Sequence, residues 1–306
     1  MNVIFVGTAP LGVPTLRALS EKHRILAVFT QPDRPAGRGL MLTPPPIKTV
    51  ACELGLPLYQ PEKINREAEL IKTLHPDVIV VVAFGQFLSK KLLAIPRYGC
   101  MNLHASLLPK YRGAAPIQWA IINGEAETGL TTFLLTEEMD AGDILLQKTV
   151  PISNEDTAGT LHDKLAALGP GLVLQTLDGL EKGTLIPRPQ DHSQATFAPK
   201  IESTMGQIDW NQPALHIFHL IRGLNPSPGA YTFFGGQRVK IYTSRIIASA
   251  SIFESGRVIA FGDEGPIVRC GADALELWEV QPAGKRRMSG RDFVNGYKIQ
   301  MGVRLG

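Results

Sequence analysis

The sequence predicts an α/β fold: a Rossmann-like open, mostly parallel sheet domain followed by a small OB-like β-barrel domain. Three observations carry that expectation. Asn2 to Val6 is an apolar run followed by Gly7-Thr8-Ala9-Pro10-Leu11-Gly12 and a helical stretch to about Lys22, a strand, turn and helix in succession. Val78 to Ala83 is an unbroken apolar run, as suits a strand covered on both faces. Past Ala230 the pattern changes to short alternating strands split by Gly235-Gly236 and Asp263-Glu264-Gly265, the spacing of a small barrel.

The opening unit lacks G-x-G-x-x-G, and the next strand, Ile25 to Thr30, runs into Gln31-Pro32 where a dinucleotide fold places a ribose-binding acid. A dehydrogenase therefore ranks well behind an enzyme without a dinucleotide. Gln31 to Pro46 is a Pro/Gly-rich loop carrying Arg34 and Arg38 with Leu40, Met41 and Leu42. Loops of that length inside an α/β unit are functional or disordered. The arginines suit phosphate contacts, or they are incidental charges on a surface lid.

Ile47 to Leu54 and Ile64 to Leu74 read as helices around a short strand near Leu58 and Tyr59. The loop after the apolar strand, Phe84-Gly85-Gln86-Phe87-Leu88, sits at a carboxyl strand end, where its backbone could bond a flat heterocycle or simply turn the chain. Tyr98 to Met101 leads a strand into Asn102, and Asn102 and His104, two apart, then share a face. A Pro/Gly-rich loop and a helix from Ala114 to Asn123 follow, the setting in which open α/β sheets bind ligands. An amide and an imidazole aimed at one point can stabilise an oxyanion and move a proton. On spacing alone, the pair reads equally as a capped strand end with a satisfied histidine.

Thr131 to Leu135 alternates like a strand, and Asp140-Ala141-Gly142-Asp143 after it is a turn. Asp140 and Asp143 are Asx-turn residues by default, although Asp140 is placed to face Asn102 and His104. Leu161, Leu165, Leu168 and Leu172 form a helical core stripe, interrupted at Pro170. Pro187 to Gln194 reads as a linker. The expected division is a catalytic domain over 1–190, a linker over 191–205 and a β-barrel over 206–306, the last opening with a helix from Pro213 to Gly223. His216 and His219 on that helix lack a visible third ligand and are taken as surface or packing histidines. Lys285-Arg286-Arg287 is either a phosphate contact or a solvated turn.

The formal net charge is +3, so the total does not argue for nucleic acid. It divides into +4 over 200–306 and −1 over 1–199, a modestly basic second half. Met1 to Gly7 has no basic n-region, and its apolar run is too short for a signal peptide or membrane span. Cys52, Cys100 and Cys270 match no zinc or redox spacing. A cytoplasmic, metal-free monomer away from membranes is the expectation.

The phrase Asn102-Leu103-His104-Ala105-Ser106-Leu107-Leu108-Pro109-Lys110-Tyr111-Arg112-Gly113-Ala114-Ala115-Pro116 resembles the signature of the 10-formyltetrahydrofolate-dependent transformylases. Its Arg-Gly-Ala-Ala-Pro-Ile ending is similar to that of the methionyl-tRNA formyltransferases. Gln-Pro-Asp-Arg-Pro-Ala-Gly-Arg-Gly resembles the insertion loop that these enzymes use on the acceptor end of initiator tRNA. Where the family often carries lysines after Gly-Arg-Gly, this chain has Leu40-Met41-Leu42. Asn225-Pro226-Ser227-Pro228-Gly229-Ala230 and Gln281 to Met288 resemble the family's carboxy-terminal domain.

The resemblance implies formyl transfer from 10-formyltetrahydrofolate, as co-substrate, to the α-amino group of initiator methionyl-tRNA for translation initiation. The amine would attack directly, through a tetrahedral intermediate. Asn102, His104 and Asp140 would be catalytic, Asp140 being the first Asp of the family's Asp-x-Gly motif and Asp143 structural. Ser106, Leu107, Leu108 and Pro109, with Gln86, Phe87 and Leu88, would hold the folate. Arg34, Arg38, Lys285, Arg286 and Arg287 would contact tRNA. A sugar-directed transformylase would lack the arginine loop plus barrel, a hydrolase would use water as acceptor, and an RNA-binding protein would have no use for the catalytic trio. Arg38→Ala is expected to raise the apparent KM for charged tRNA and to flatten its salt dependence; steady-state kinetics at two ionic strengths check both, and an unchanged KM removes Arg38 from the contact.

Overall fold

The computed structural model describes residues 1–36 and 41–306, which fall into two units. The first comprises Met1–Pro116, Glu127–Pro151 and His162–Pro199. In chain order it contains β1 (Asn2–Gly7), α1 (Val13–Lys22), β2 (Arg24–Phe29), β3 (Arg34–Ala36), β4 (Met41–Thr43), α2 (Pro46–Glu53) and β5 (Leu58–Tyr59). Then come α3 (Ala68–Thr73), β6 (Val78–Val82), α4 (Lys90–Leu93) and β7 (Cys100–His104). Strands β8 (Glu127–Leu134) and β9 (Ile144–Pro151) and most of a long helix α6 (Ala158–Glu181) follow, while the intervening helix α5 (Pro116–Ile122) belongs, from Ile117 on, to the second unit.

The sheet order is β5-β2-β1-β6-β7-β8-β9. Pairing is parallel from β5 to β7 and antiparallel from β7 to β9. The centre is β6, Val-Ile-Val-Val-Val, buried at every position. β-Branched residues fit a pleated surface covered on both sides, and full burial of each contributes about 1.5–3 kcal/mol. The chain reverses its winding between β1 and β6, so the loops after β1 and β6 meet at one carboxyl edge. There Ala9 N–H donates to Ala83 O at 3.3 Å, and Thr8 and Gln31 side chains donate to Phe84 O, each at 3.3 Å.

The foot of the 31–46 loop is pinned. Asp33 accepts from Gln60 at 2.8 Å and from Lys48 at 2.7 and 2.9 Å, and these partners, Gln60 foremost, hold its carboxyl below the usual carboxylate range. Above the foot, β3 and β4 pair antiparallel. Arg38 and Leu40 lie outside the described residues; Met41 and Leu42 are exposed.

Helix α6 passes through Pro170 without a break, contrary to the expected interruption. A proline inside a helix costs about 3 kcal/mol. Leu161, Leu165, Leu172, Val173 and Leu177 are buried, and their burial outweighs that cost. Leu168, expected in the stripe, is exposed. A Cβ on Gly169 would stand 2.9 Å from Leu103 Cδ2, so the helix lies close on β7 here.

The second unit comprises Ile117–Ala126, Ile152–Leu161 and Lys200–Gly306. After α7 (Ala214–Gly223) it forms β10 (Ala230–Phe234), β11 (Gln237–Ile247), β12 (Val258–Phe261), β13 (Pro266–Arg269), β14 (Ala274–Pro282), β15 (Met288–Ser289) and α8 (Gly290–Tyr297). The sheet is antiparallel, in order β10-β11-β14-β13-β12 with β15 on β14. Register shifts along β11 bend it around a core of Trp210, Ile221, Ile241, Leu277 and Phe293. The central strand β14 and helix α8 were not anticipated from the sequence. Arg222, 7% exposed, donates to the carbonyls of Asp156 at 2.8 Å and Ser153 at 2.6 Å. These bonds capture the 152–161 piece.

Of the three cysteines, Cys52 is exposed and Cys100 and Cys270 are buried, burial pushing each of the latter two thiols up to about 12. A disulfide reagent at pH 8 should therefore titrate one thiol per native chain and three per denatured chain, read by absorbance.

Candidate active site

Strand β7 is bonded on both sides, with Val81 opposite Asn102 in β6, and Phe133 opposite Asn102 and Thr131 opposite His104 in β8. The pleat puts Asn102 and His104 on one face. His104 is 6% exposed, with its ring edge-on to Phe133 at 6.4 Å between centroids. Its Nε2 lies 2.9 Å from the carbonyl oxygen of Tyr111. A carbonyl can only accept, so the proton is on Nε2 and that edge is committed. The other nitrogen, Nδ1, faces Asp140 Oδ2 across 3.8 Å, longer than a hydrogen bond and within ion-pair range. Asn102 Oδ1 is buried with no hydrogen-bond partner among the described residues. Buried polar atoms are almost always paired, so the amide holds unspent bonding capacity on the same face.

Asp140 follows β8 in a tight turn, at φ 51°, a left-handed conformation that aspartate tolerates better than most residues. Its Oδ2 accepts from Gly113 N–H at 2.8 Å. Gly142 is required two residues on, because a Cβ there would stand 1.8 Å from Leu134 O. Gly113 has φ 122°, and a Cβ on it would meet Ala198 O at 2.7 Å. Residues 196–198, read as linker, line this loop: Arg112 N–H donates to Thr196 O at 2.9 Å, Ala198 N–H to Arg112 O at 2.7 Å and Ala115 N–H to Ala198 O at 3.1 Å.

The residues expected around a folate divide by what their atoms already do. The buried Ser106 hydroxyl donates to Lys110 O at 2.6 Å. Leu108 N–H donates to Thr131 Oγ1 at 3.1 Å, and its carbonyl accepts from Gln147 Nε2 at 2.9 Å. Leu107 packs over Gly129, where a Cβ would meet its Cδ2 at 2.6 Å, and Pro109 O accepts from Thr196 N–H at 3.4 Å. Gln86 spends its amide on Ile64 N–H and Glu62 O, both at 3.1 Å. Leu88 is buried in the core with Ile4 and Phe29, while the Phe87 ring is 67% exposed. A groove lined by Gln31, Arg34, Glu62, Lys63, Asn65, Arg66, Gly85, Gln86 and Phe87 opens beside this loop. Asn102, His104 and Asp140 are not among its walls.

Arg34 pairs with Glu62 at 3.0 Å on the surface. In the second unit Lys285, Arg286 and Arg287 are exposed; Arg287 lies over the Tyr242 ring at 3.5 Å and 3.4 Å from Glu279. Sequence reasoning missed Thr131, Gln147, Arg112 and Gln190, which hold these loops. Arg112 stands inside the quoted phrase, but nothing in a polar, proline-bearing stretch singles out Gln190. Among the described residues no group of three or more His, Cys, Asp or Glu is placed to hold a metal ion, and no helix is long and apolar enough to cross a membrane.

The formyl transferase family profile matches residues 1–177, and that of the formyl transferase carboxy-terminal domain matches residues 200–298. The chain is 46% identical to the methionyl-tRNA formyltransferase of Caldanaerobacter subterraneus over 100% of both chains. It is 46% identical to that of Bacillus subtilis, over 100% of this chain and 98% of that one. Among solved structures, an N-formyltransferase from Helicobacter canadensis, complexed with folinic acid and dTDP-3-aminofucose, shares the fold at TM-score 0.68 and 18% identity, covering 90% of this chain and 99% of its own. HypX from Aquifex aeolicus in complex with tetrahydrofolic acid superposes at TM-score 0.66 and 18% identity over 98% of this chain, which spans 48% of the HypX chain.

Gly142→Ala should cost about 1–3 kcal/mol, the ordinary range for forcing extra atoms into a packed site, with chemical denaturation as the measurement.

Proposed function

The chain belongs to the formyl transferase family, and from that premise we propose that it transfers a formyl group from 10-formyltetrahydrofolate to the α-amino group of initiator methionyl-tRNA, in the cytoplasm, for translation initiation. Full-length relatives at 46% identity bear the name of that reaction. The observation that carries the chemistry is His104 Nδ1 facing Asp140 Oδ2 across 3.8 Å while Nε2 is held by Tyr111 O.

The folate co-substrate supplies the formyl carbon. Attack by the amine moves charge onto the formyl oxygen and leaves a proton to be removed. Asn102 Nδ2 and the Nδ1–H that His104 carries in its imidazolium form, on one strand face, are the donors for that oxygen. Asp140 orients the ring and relays the amine proton. The amine itself is the nucleophile: the Ser106 hydroxyl is engaged with Lys110 O, and burial pushes the Cys100 thiol up to about 12. The unpartnered Asn102 Oδ1 fits a site completed by substrate. Because Gln86 and Leu88 direct their side chains elsewhere, they act on the folate through backbone, as does Ser106, with Leu107, Leu108 and Pro109 as apolar wall and the exposed Phe87 ring beside them.

The first unit carries the chemistry and the second holds tRNA. Arg34, Arg38, Lys285, Arg286 and Arg287 supply phosphate contacts. The exposed Arg34–Glu62 pair is worth at most about 1 kcal/mol, so a phosphate can replace Glu62. The chain acts as a monomer.

An acceptor assay comparing methionyl-tRNA with free methionine and small amino sugars tests the substrate. Formylation confined to the charged tRNA is expected, and formate release from folate alone would instead mark a hydrolase. Asn102→Ala, His104→Ala and Asp140→Ala should each lower kcat about 10²–10³-fold with melting temperatures preserved; near-normal turnover in His104→Ala removes the assignment.

A further inference from the structure

We infer that Gln190 is a positioning residue for this reaction, acting through Asp140, and the inference rests on the role given to Asp140 above. Arg188 and Ile144 exchange backbone hydrogen bonds, each at 2.8 Å, and this bridge delivers residue 190 beside the Asp140–Asp143 turn. Gln190 is 5% exposed, and its amide is fully used. Its Nε2 donates to the carbonyl oxygens of Asp140 at 2.8 Å and Gly142 at 2.7 Å. Its Oε1 accepts from Arg112 Nε at 3.2 Å and Nη2 at 2.6 Å.

These bonds tie together the two loops that make the His–Asp pair. Arg112, 5% exposed, precedes Gly113, whose N–H holds Asp140 Oδ2 at 2.8 Å. Asp140 is thus gripped at its carbonyl by Gln190 and at its carboxylate by the residue following Gln190's own partner. The grip acts on a backbone held at φ 51°, which a freed turn would leave.

The chemistry of the side chain separates this role from packing. A carboxylate at 190 would pair with the buried Arg112 guanidinium more strongly than an amide does, but it has no protons for the two carbonyls. An amide alone serves both sides. Only donation to the turn demands glutamine, and the turn is what aims the carboxylate at His104.

The test is Gln190→Glu, alone and combined with Asp140→Asn, assayed with methionyl-tRNA and 10-formyltetrahydrofolate both saturating. Alone, Q190E is expected to lower kcat by tenfold to about 10²-fold, the scale of a roughly 1 Å misplacement, with both KM values within twofold. In the Asp140→Asn background it should lower the residual kcat by less than twofold, since the group it positions is gone. An equal loss in both backgrounds, or a kcat within twofold of wild type in Q190E alone, overturns the proposal. Gln190→Asn, an amide too short to span both carbonyls, repeats the cycle if Q190E does not fold, with circular dichroism melting as the check. Asp140→Asn at the wild-type rate would remove the reading of Asp140 itself, whereas a crippled Asp140→Asn beside a normal Q190E removes Gln190 alone.

Discussion

Strand β7 is hydrogen-bonded parallel to β6 and antiparallel to β8, and this double ladder determines where the remaining functional groups stand. A strand bonded on both edges cannot slip by one residue without turning its whole side-chain set to the opposite face. Asn102 and His104 are therefore held together by the pleat, with no bond between them required. Because β8 runs back against β7, its carboxyl end leads directly to the turn carrying Asp140. The proposed site lies where the sheet changes from parallel to antiparallel pairing.

The loops around that point are held mainly by neutral amides, hydroxyls and main-chain groups. Thr131 Oγ1 accepts from Leu108 N–H at 3.1 Å and donates to Ser106 O at 2.7 Å, and Gln147 reaches both Leu108 O and Thr131. Gln190 and Arg112 do the same for the Asp140 turn. Such networks stiffen a site when every member is paired, at less desolvation cost than buried ion pairs would carry. Nearby, Asn102 Oδ1 and the 3.8 Å gap between His104 Nδ1 and Asp140 Oδ2 stay outside this network.

The second unit shows the same economy. One buried guanidinium, Arg222, satisfies the carbonyls at the start of α6, and Gly223 lets α7 approach α5 closely enough that a Cβ would stand 2.5 Å from Ile122 Cγ1. Two short pieces from before residue 162 are thereby built into a unit made mostly of residues after 200.

Much of this was legible in the order of residues. The apolar run of β6, the two-residue spacing of Asn102 and His104, and the glycine of the Asp140 turn are local signals, and local periodicity and close-approach requirements are written in sequence. The long phrase from Asn102 to Pro116 carried the family. Other features depended on groups distant along the chain. Helix α6 ran through Pro170 because burial on both sides outweighed a local penalty. Gln190 became a structural partner of Asp140, fifty residues away, only when the β9 edge brought it there. Sequence alone determined which chemistry the chain could perform, because reactive side chains and backbone constraints are properties of single residues and near neighbours. Tertiary structure alone decided which imidazole nitrogen stayed open and which buried amide would hold the turn carrying the carboxylate opposite it, because hydrogen-bond partners are chosen by proximity in space.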